Sequence, residues 1–219
     1  MIIFKEIAFL LRKDFRLEFR NAYAISGILL YVFSTIFIVY ISFQNIQPNV
    51  WNTLFWIIIL FASISAVVKS FVQESSQRQL YYYSLVNPLS ILLSKIIYNI
   101  VLLFILSLLC WLGFSIVAGN PVKASTQFFL ALFLGASSFS TCFTFLSAIS
   151  AKADNNATLM TILSFPLIIP ILLTLLKISA NALRLMQDTN VDQDVLILAA
   201  VNMLILGISV LLFPFLWRD

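Results

Sequence analysis

The sequence predicts an all-α integral membrane protein with six transmembrane helices preceded by an amphipathic interfacial helix. Of its 219 residues, 62% are hydrophobic and only 10% are charged, with a mean hydropathy of +1.04. Soluble domains carry about a quarter charged residues, so much of this surface requires a bilayer as its solvent. Six apolar runs are each long enough to cross a bilayer. Most Lys and Arg residues lie in alternate connections between these runs.

The first 21 residues predict the interfacial helix, because they contain neither Gly nor Pro and are strongly amphipathic. On a helical projection one face is apolar, with Phe4, Ile7, Leu11 and Phe15. The opposite stripe is basic, with Lys5, Arg12, Lys13, Arg16 and Arg20. We expect the apolar face to enter the head-group boundary and the basic stripe to meet anionic membrane lipid.

Two acids in this helix, Asp14 and Glu18, project towards the apolar face. A carboxylate pressed unpaired against lipid is costly. Either both acids face protein, such as Arg78 of the next cytoplasmic loop or a partner subunit, or they pair locally with Lys13 and Arg16.

The apolar runs predict spans that together form a single membrane domain, 1–219. The predicted bounds are 22–43, 51–71, 91–117, 126–150, 157–176 and 195–216. Three features inside or beside these spans carry further expectations. Pro166 and Pro170 predict a kink or break in span five. The hydroxyl-rich span four predicts close packing, and 177–194 predicts an external segment with one or two short helices.

The basic residues orient the spans. Ten of the thirteen lie on one side of the predicted topology: Lys5, Arg12, Lys13, Arg16, Arg20, Lys69, Arg78, Lys95, Lys152 and Arg218. By the positive-inside rule, both termini are cytoplasmic. Lys69 and Lys95 are close enough to span ends to extend their ammonium groups to water. Because the basic residues sit in short membrane-flanking segments, topology explains them and nucleic-acid binding is not indicated.

The cytoplasmic loop before Pro88 is the longest on that side. It is too polar to enter the bilayer and too aromatic for a solvated linker, so it predicts a surface helix with a binding partner. The anchors would be Leu80, Tyr81, Tyr82, Tyr83 and Leu85. A belt of tyrosines at the membrane interface is the alternative.

Several absences exclude classes of function. The chain has no His, its two Cys lie far apart within apolar runs, and it has no phosphate-binding GxxxxGK[ST] loop. No acid lies near the centre of a span, which disfavours a proton-coupled transporter. We therefore expect no enzyme, no directly bound metal or cofactor, and ATP hydrolysis only by a separate polypeptide.

These features together describe ABC-2 class membrane subunits, and within that class the sequence resembles the haem exporter B (CcmB) family of cytochrome c maturation. The resemblance covers essentially the whole chain. It rests on residues 11–20, on 60–74, on 80–95 with Pro88, and most specifically on the double-proline string of 162–172.

The resemblance implies a permease in the bacterial inner membrane that docks an ABC ATPase beside a haem-handling C-type membrane subunit and a small accessory membrane protein. It implies ATP hydrolysis tied to release of a haem-loaded chaperone or to haem export, with any haem held through partner subunits. The ATPase-docking residues would be Glu74, Arg78, Leu80, Tyr81, Tyr83 and Leu85.

One departure from the family pattern falls in this docking loop. Relatives usually carry an Asp-Gly turn followed by Leu-Glu where this chain has Gln77-Arg78-Gln79-Leu80-Tyr81. Two alternative functions are consistent with the same helices and charge distribution but do not account for the sequence segments shared with the family. They are an ABC-2 permease for lipid, glycan or drug, and a membrane scaffold that transports nothing.

Overall fold

The computed structural model of the protein describes residues 2–20, 23–43, 45–67, 86–152, 157–186 and 191–218. Within these ranges the side chains are described for 5–17, 26–43, 45–67, 86–151, 162–186 and 191–215. The described part of the chain contains seven α-helices: α1 Ile2–Arg20, α2 Tyr23–Ser42, α3 Pro48–Val67, α4 Pro88–Ala118, α5 Ser125–Lys152, α6 Ala157–Ala182 and α7 Val191–Arg218.

Five of these helices, α3 to α7, are long and apolar enough to cross a membrane. The predicted all-α membrane fold is therefore confirmed. The first predicted span coincides with α2, of which Ser26–Ser42 is described as a shorter apolar helix. The count of six spans stays a prediction.

The fourth helix has a well-defined start, which the sequence locates. Asn87 is extended (φ −64°, ψ 130°), and its side chain accepts a hydrogen bond from the amide of Leu89 at 3.0 Å. Pro88 occupies the first turn, where its missing N–H costs nothing. This cap starts α4 three residues before the predicted bound, and the helix ends at Gly119, which has φ 78°.

The fifth helix lies at the centre of the bundle and packs against α3, α4, α6 and α7. Nearly all its side chains from Leu134 to Ser150 are buried. Gly135 shows how closely it approaches α3: a Cβ there would lie 2.7 Å from Cζ3 of the buried Trp56. The close packing predicted from the small residues of span four is confirmed, since bulkier side chains would hold the helices apart.

The larger hydrophobic cluster extends through the bundle, and a smaller one lies at one end. Near the start of α3, the ring of Trp51 stacks on that of Phe55. It also packs edge-to-face against Phe114 of α4, with the ring centroids 5.3 Å apart. The smaller cluster joins α1 to α4, α5 and α7 through Leu10, Ile91, Leu92, Ile96, Ala148 and Phe213. Helix α1 and the C-terminal part of α7 therefore lie at the same end.

The predicted external helices of 177–194 are not found among the described residues. Helix α6 instead continues to Ala182, and α7 already begins at Val191. The extension of α6 is stabilised because the amides of Lys123 and Ala124 donate to the carbonyl of Ala182 at 3.1 and 2.9 Å. Sequence hydropathy missed it because the bonds come from another part of the chain.

The sixth helix continues without interruption through Pro166 and Pro170. A break, one of the two outcomes predicted from these residues, does not occur. Thr174 donates its hydroxyl to the carbonyl of Pro170 at 2.8 Å, so a side chain of the same helix hydrogen-bonds the backbone beside the second proline. A kink remains a prediction.

Candidate functional site: the junction of α1 and α4

The N-terminal helix packs against the beginning of α4 instead of lying free on a membrane surface. Leu10 is 5% exposed and joins Ile91, Leu92 and Ile96 in the smaller hydrophobic cluster. Farther along, the ring of Phe15 meets that of Tyr98 edge-to-face at a centroid distance of 5.2 Å. Part of the face predicted to enter lipid therefore contacts protein.

A buried charge cluster lies within this junction. The side chain of Asp14 is 8% exposed, and its Oδ2 atom lies 3.8 Å from Nζ of Lys95 in α4. Its other oxygen, Oδ1, lies 3.2 Å from Nζ of Lys13. A carboxylate removed from water needs such opposite charges, because desolvation otherwise costs several kcal/mol.

The prediction that Asp14 faces protein is thus confirmed, with a partner that the sequence did not single out. Among the described residues its interhelical partner is Lys95 of α4, and the local pair with Lys13 forms as well. Arg78 lies outside the described residues. The expectation that Lys95 extends to water is wrong. Its side chain is 10% exposed because the carboxylate on α1 attracts the ammonium group into the helix interface.

A second acid of α1 also reaches α4. Ser90 donates its hydroxyl to Oε2 of Glu6 at 2.7 Å. Glu6, Leu10 and Asp14 are spaced four residues apart, so they form one ridge along α1. Sequence reasoning missed Glu6 and Ser90, although this ridge of acid, leucine and acid was visible at regular spacing.

The remaining predicted residues of α1 are either at least partly exposed or outside the described residues. Arg12 and Arg16 are exposed, and Lys13 is about one-fifth exposed. Phe9, which lies between the basic residues, is 73% exposed and was not singled out. The side chains of Glu18 and Arg20 lie outside the described residues, as do all six predicted docking residues: Glu74, Arg78, Leu80, Tyr81, Tyr83 and Leu85.

Interhelical hydrogen bonds continue from the junction into the bundle core. Asn99 of α4 is fully buried and donates to the hydroxyl of Thr144 in α5 at 2.8 Å. One turn earlier in α5, Thr141 donates to Oδ1 of Asn202 in α7 at 2.5 Å. These bonds contribute to the register of α4, α5 and α7, since a buried amide group is stable in an apolar medium only when it is hydrogen-bonded.

No metal-binding group of three or more His, Cys, Asp or Glu occurs among the residues that the structure describes. The junction therefore contains paired charges and packed rings rather than a set of metal ligands. Chemically, this arrangement can hold α1 in a fixed rotation on α4.

The sequence model of the CcmB protein family matches residues 5–217. The chain belongs to the CcmB family. Members of this family are membrane permease components of ABC-type haem exporters in cytochrome c maturation and not themselves enzymes. The family works in an ABC transporter system with an ATPase partner and other cytochrome c maturation components. A search of curated proteins found no match to the chain.

Proposed function

We propose that this CcmB-family chain couples a separate ABC ATPase to release of a haem-loaded chaperone or to haem export, and that α4 transmits the motion to α1. The observation that supports this is the position of the junction. The residues of α4 that contact α1, Ser90 to Tyr98, lie in its first three turns. A displacement of the start of α4 therefore acts directly on α1.

The predicted docking residues are connected to α4 by very little chain. Leu85 lies only two residues before Asn87, the capped start of α4. Because Asn87 and Pro88 fix the direction of the backbone there, a force on the loop is passed to the helix rather than absorbed by a flexible linker. ATP hydrolysis shifts the membrane subunit only if docking energies differ between its conformations.

The arrangement of the helices supports an even number of spans. Helix α1 and the end of α7 share the cluster that includes Leu10 and Phe213, whereas the start of α3 lies at the opposite end with Trp51. If α2 crosses between these ends, the chain has six spans with both termini on one side. The excess of Lys and Arg makes that side the cytoplasmic side of the bacterial inner membrane.

The division of labour among subunits follows from the composition of the chain. It has no His, so axial His ligands to haem would come from the haem-handling C-type subunit or another partner. This chain would bind no cofactor directly and would supply the transmembrane helices that change conformation. A small accessory membrane protein completes the proposed complex.

The test replaces three docking residues together: Leu80→Ala, Tyr81→Ala and Leu85→Ala. We expect the variant to insert normally but to lose coupling, so that ATPase activity continues while cytochrome c production falls at least tenfold. A matched control replaces three exposed apolar residues elsewhere: Tyr40→Ala, Leu204→Ala and Leu211→Ala, which are 54%, 61% and 69% exposed. Normal maturation of cytochrome c by the docking variant, with the ATPase bound as in wild type, would contradict the proposal.

A further inference from the structure

The face of α1 turned away from α4 combines cations with apolar side chains. Lys5, Phe9, Arg12 and Arg16 are all exposed, and at about 100° per residue they fall within about 60° of one another. Phe9, which lies between Lys5 and Arg12 in sequence, is 73% exposed. This outward face, Lys5, Phe9, Arg12 and Arg16, is called the basic face below.

An open groove of about 400 Å³ overlaps most of the basic face. Among the described residues, Arg12, Lys13 and Arg16 line it together with Phe9 and Leu17. Leu17 is 39% exposed. The groove thus offers charged donors and apolar surface side by side, and the ligand that matches both is an anionic amphiphile.

The position of α1 along α4 indicates which anionic amphiphile lies within reach of this groove. The 31 residues of α4 make it about 46 Å long, whereas the hydrocarbon core of a bilayer is about 30 Å thick. Each end of a centred α4 therefore extends about 8 Å into the head-group region. The first three turns of α4, beside which α1 packs, rise about 16 Å. Helix α1 therefore reaches from the head-group region, where phospholipid phosphates are concentrated, to the outer part of the hydrocarbon core.

We propose that the basic face binds an anionic phospholipid. Arg12 and Arg16 donate hydrogen bonds to its phosphate, and the acyl chain lies along Phe9 and Leu17. Guanidinium groups suit this role because their planar donors bind two phosphate oxygens at once. The pairing of Asp14 with Lys95 holds the rotation of α1, so the basic face remains turned outward.

The test uses the full chain purified in detergent, with dioleoyl phosphatidylglycerol and dioleoyl phosphatidylcholine as probes, and measures retained lipid by native mass spectrometry. We expect phosphatidylglycerol to bind at least tenfold more tightly than phosphatidylcholine. Arg12→Gln with Arg16→Gln should reduce phosphatidylglycerol affinity roughly 30-fold, the equivalent of about 2 kcal/mol for two cations at a membrane surface.

A matched control removes two exposed cations near the opposite end of the bundle, Lys123→Gln and Lys177→Gln, and should leave lipid affinity unchanged. Phe9→Ala should weaken binding of both lipids, because it removes contact with the acyl chain. Both arginines are exposed, so elution volume and thermal stability in detergent should match wild type.

Three outcomes would overturn this proposal. One is an unchanged phosphatidylglycerol preference in the double Arg variant. Another is displacement of the lipid by millimolar inorganic phosphate, which would mean a site for free phosphate. The third is loss of a protein partner with lipid affinity intact, which would make the basic face a protein-docking surface. None of these measurements depends on ATPase coupling, so the lipid site and the proposed function fail independently.

Discussion

Asp14 of the N-terminal helix and Lys95 of the third predicted span form an ion pair at 3.8 Å, and both side chains are at least nine-tenths buried. The two residues are 81 positions apart in sequence. Their contact joins a helix predicted to lie on the membrane surface to a helix that crosses the membrane. It attaches α1 to α4, so α1 is not an independent membrane anchor.

Replacing Asp14 alone should release α1 from α4. Asp14→Ala removes the carboxylate that buried Lys95 meets on α1, which costs about 3 kcal/mol. The measurement is unfolding in detergent, together with protease accessibility of α1 and cytochrome c production. The double variant Asp14→Leu with Lys95→Met should recover most of the stability, because an apolar pair removes the desolvation cost. A double variant no more stable than Asp14→Ala would show that the pair does not link these helices.

Gly135→Ala should loosen the packing of α5 on α3. The new methyl group would lie 2.7 Å from the ring of Trp56, and the ring is held because its Nε1 donates to Ser179 at 2.8 Å. We expect a loss of about 2 kcal/mol, measured as a lower midpoint of thermal unfolding. Gly207→Ala is the control, since a Cβ there meets nothing within 4 Å. If both substitutions lower the unfolding midpoint equally, the loss of stability comes from the helix backbone and not from packing against Trp56.

Thr144→Val should weaken the contact between α4 and α5. It removes the hydroxyl that accepts a hydrogen bond from buried Asn99 and retains the shape of the side chain. Hydrogen bonds between helices in membranes average about 0.6 kcal/mol, so we expect a stability loss near that value. Thr53→Val is the control, because its exposed hydroxyl donates to the Asn49 carbonyl of its own helix. The interpretation is wrong if the two losses are indistinguishable.

Replacing both prolines of α6 should raise stability. Pro166→Ala with Pro170→Ala restores two amide donors within a helix that is already continuous, and a proline within a helix costs up to about 3 kcal/mol. We expect a higher unfolding midpoint and normal cytochrome c production. Pro214→Ala in α7 is the control and should give about half the gain. Loss of maturation in the double variant alone would instead assign the prolines a mechanical role.

The helices themselves were largely predictable from sequence. Hydropathy gave span four as 126–150, and the helix extends over Ser125–Lys152. Span three was predicted as 91–117 and extends from Pro88 to Ala118. These agreements reflect one constraint, because a chain in hydrocarbon must satisfy its backbone internally and helices do so with local hydrogen bonds. The end of α6 was mispredicted, since amides of Lys123 and Ala124 stabilise it from outside the segment.

The sequence by itself determined that this protein is a helical membrane protein, where most of its spans lie, and to which family it belongs. Those properties depend on local composition and on residue order. Only the tertiary structure decided that Asp14 meets Lys95, that Glu6 meets Ser90 and that Phe9 points outward. The physical reason is that periodicity fixes which residues share a face of a helix, whereas the neighbour of that face is chosen by the packing of distant segments.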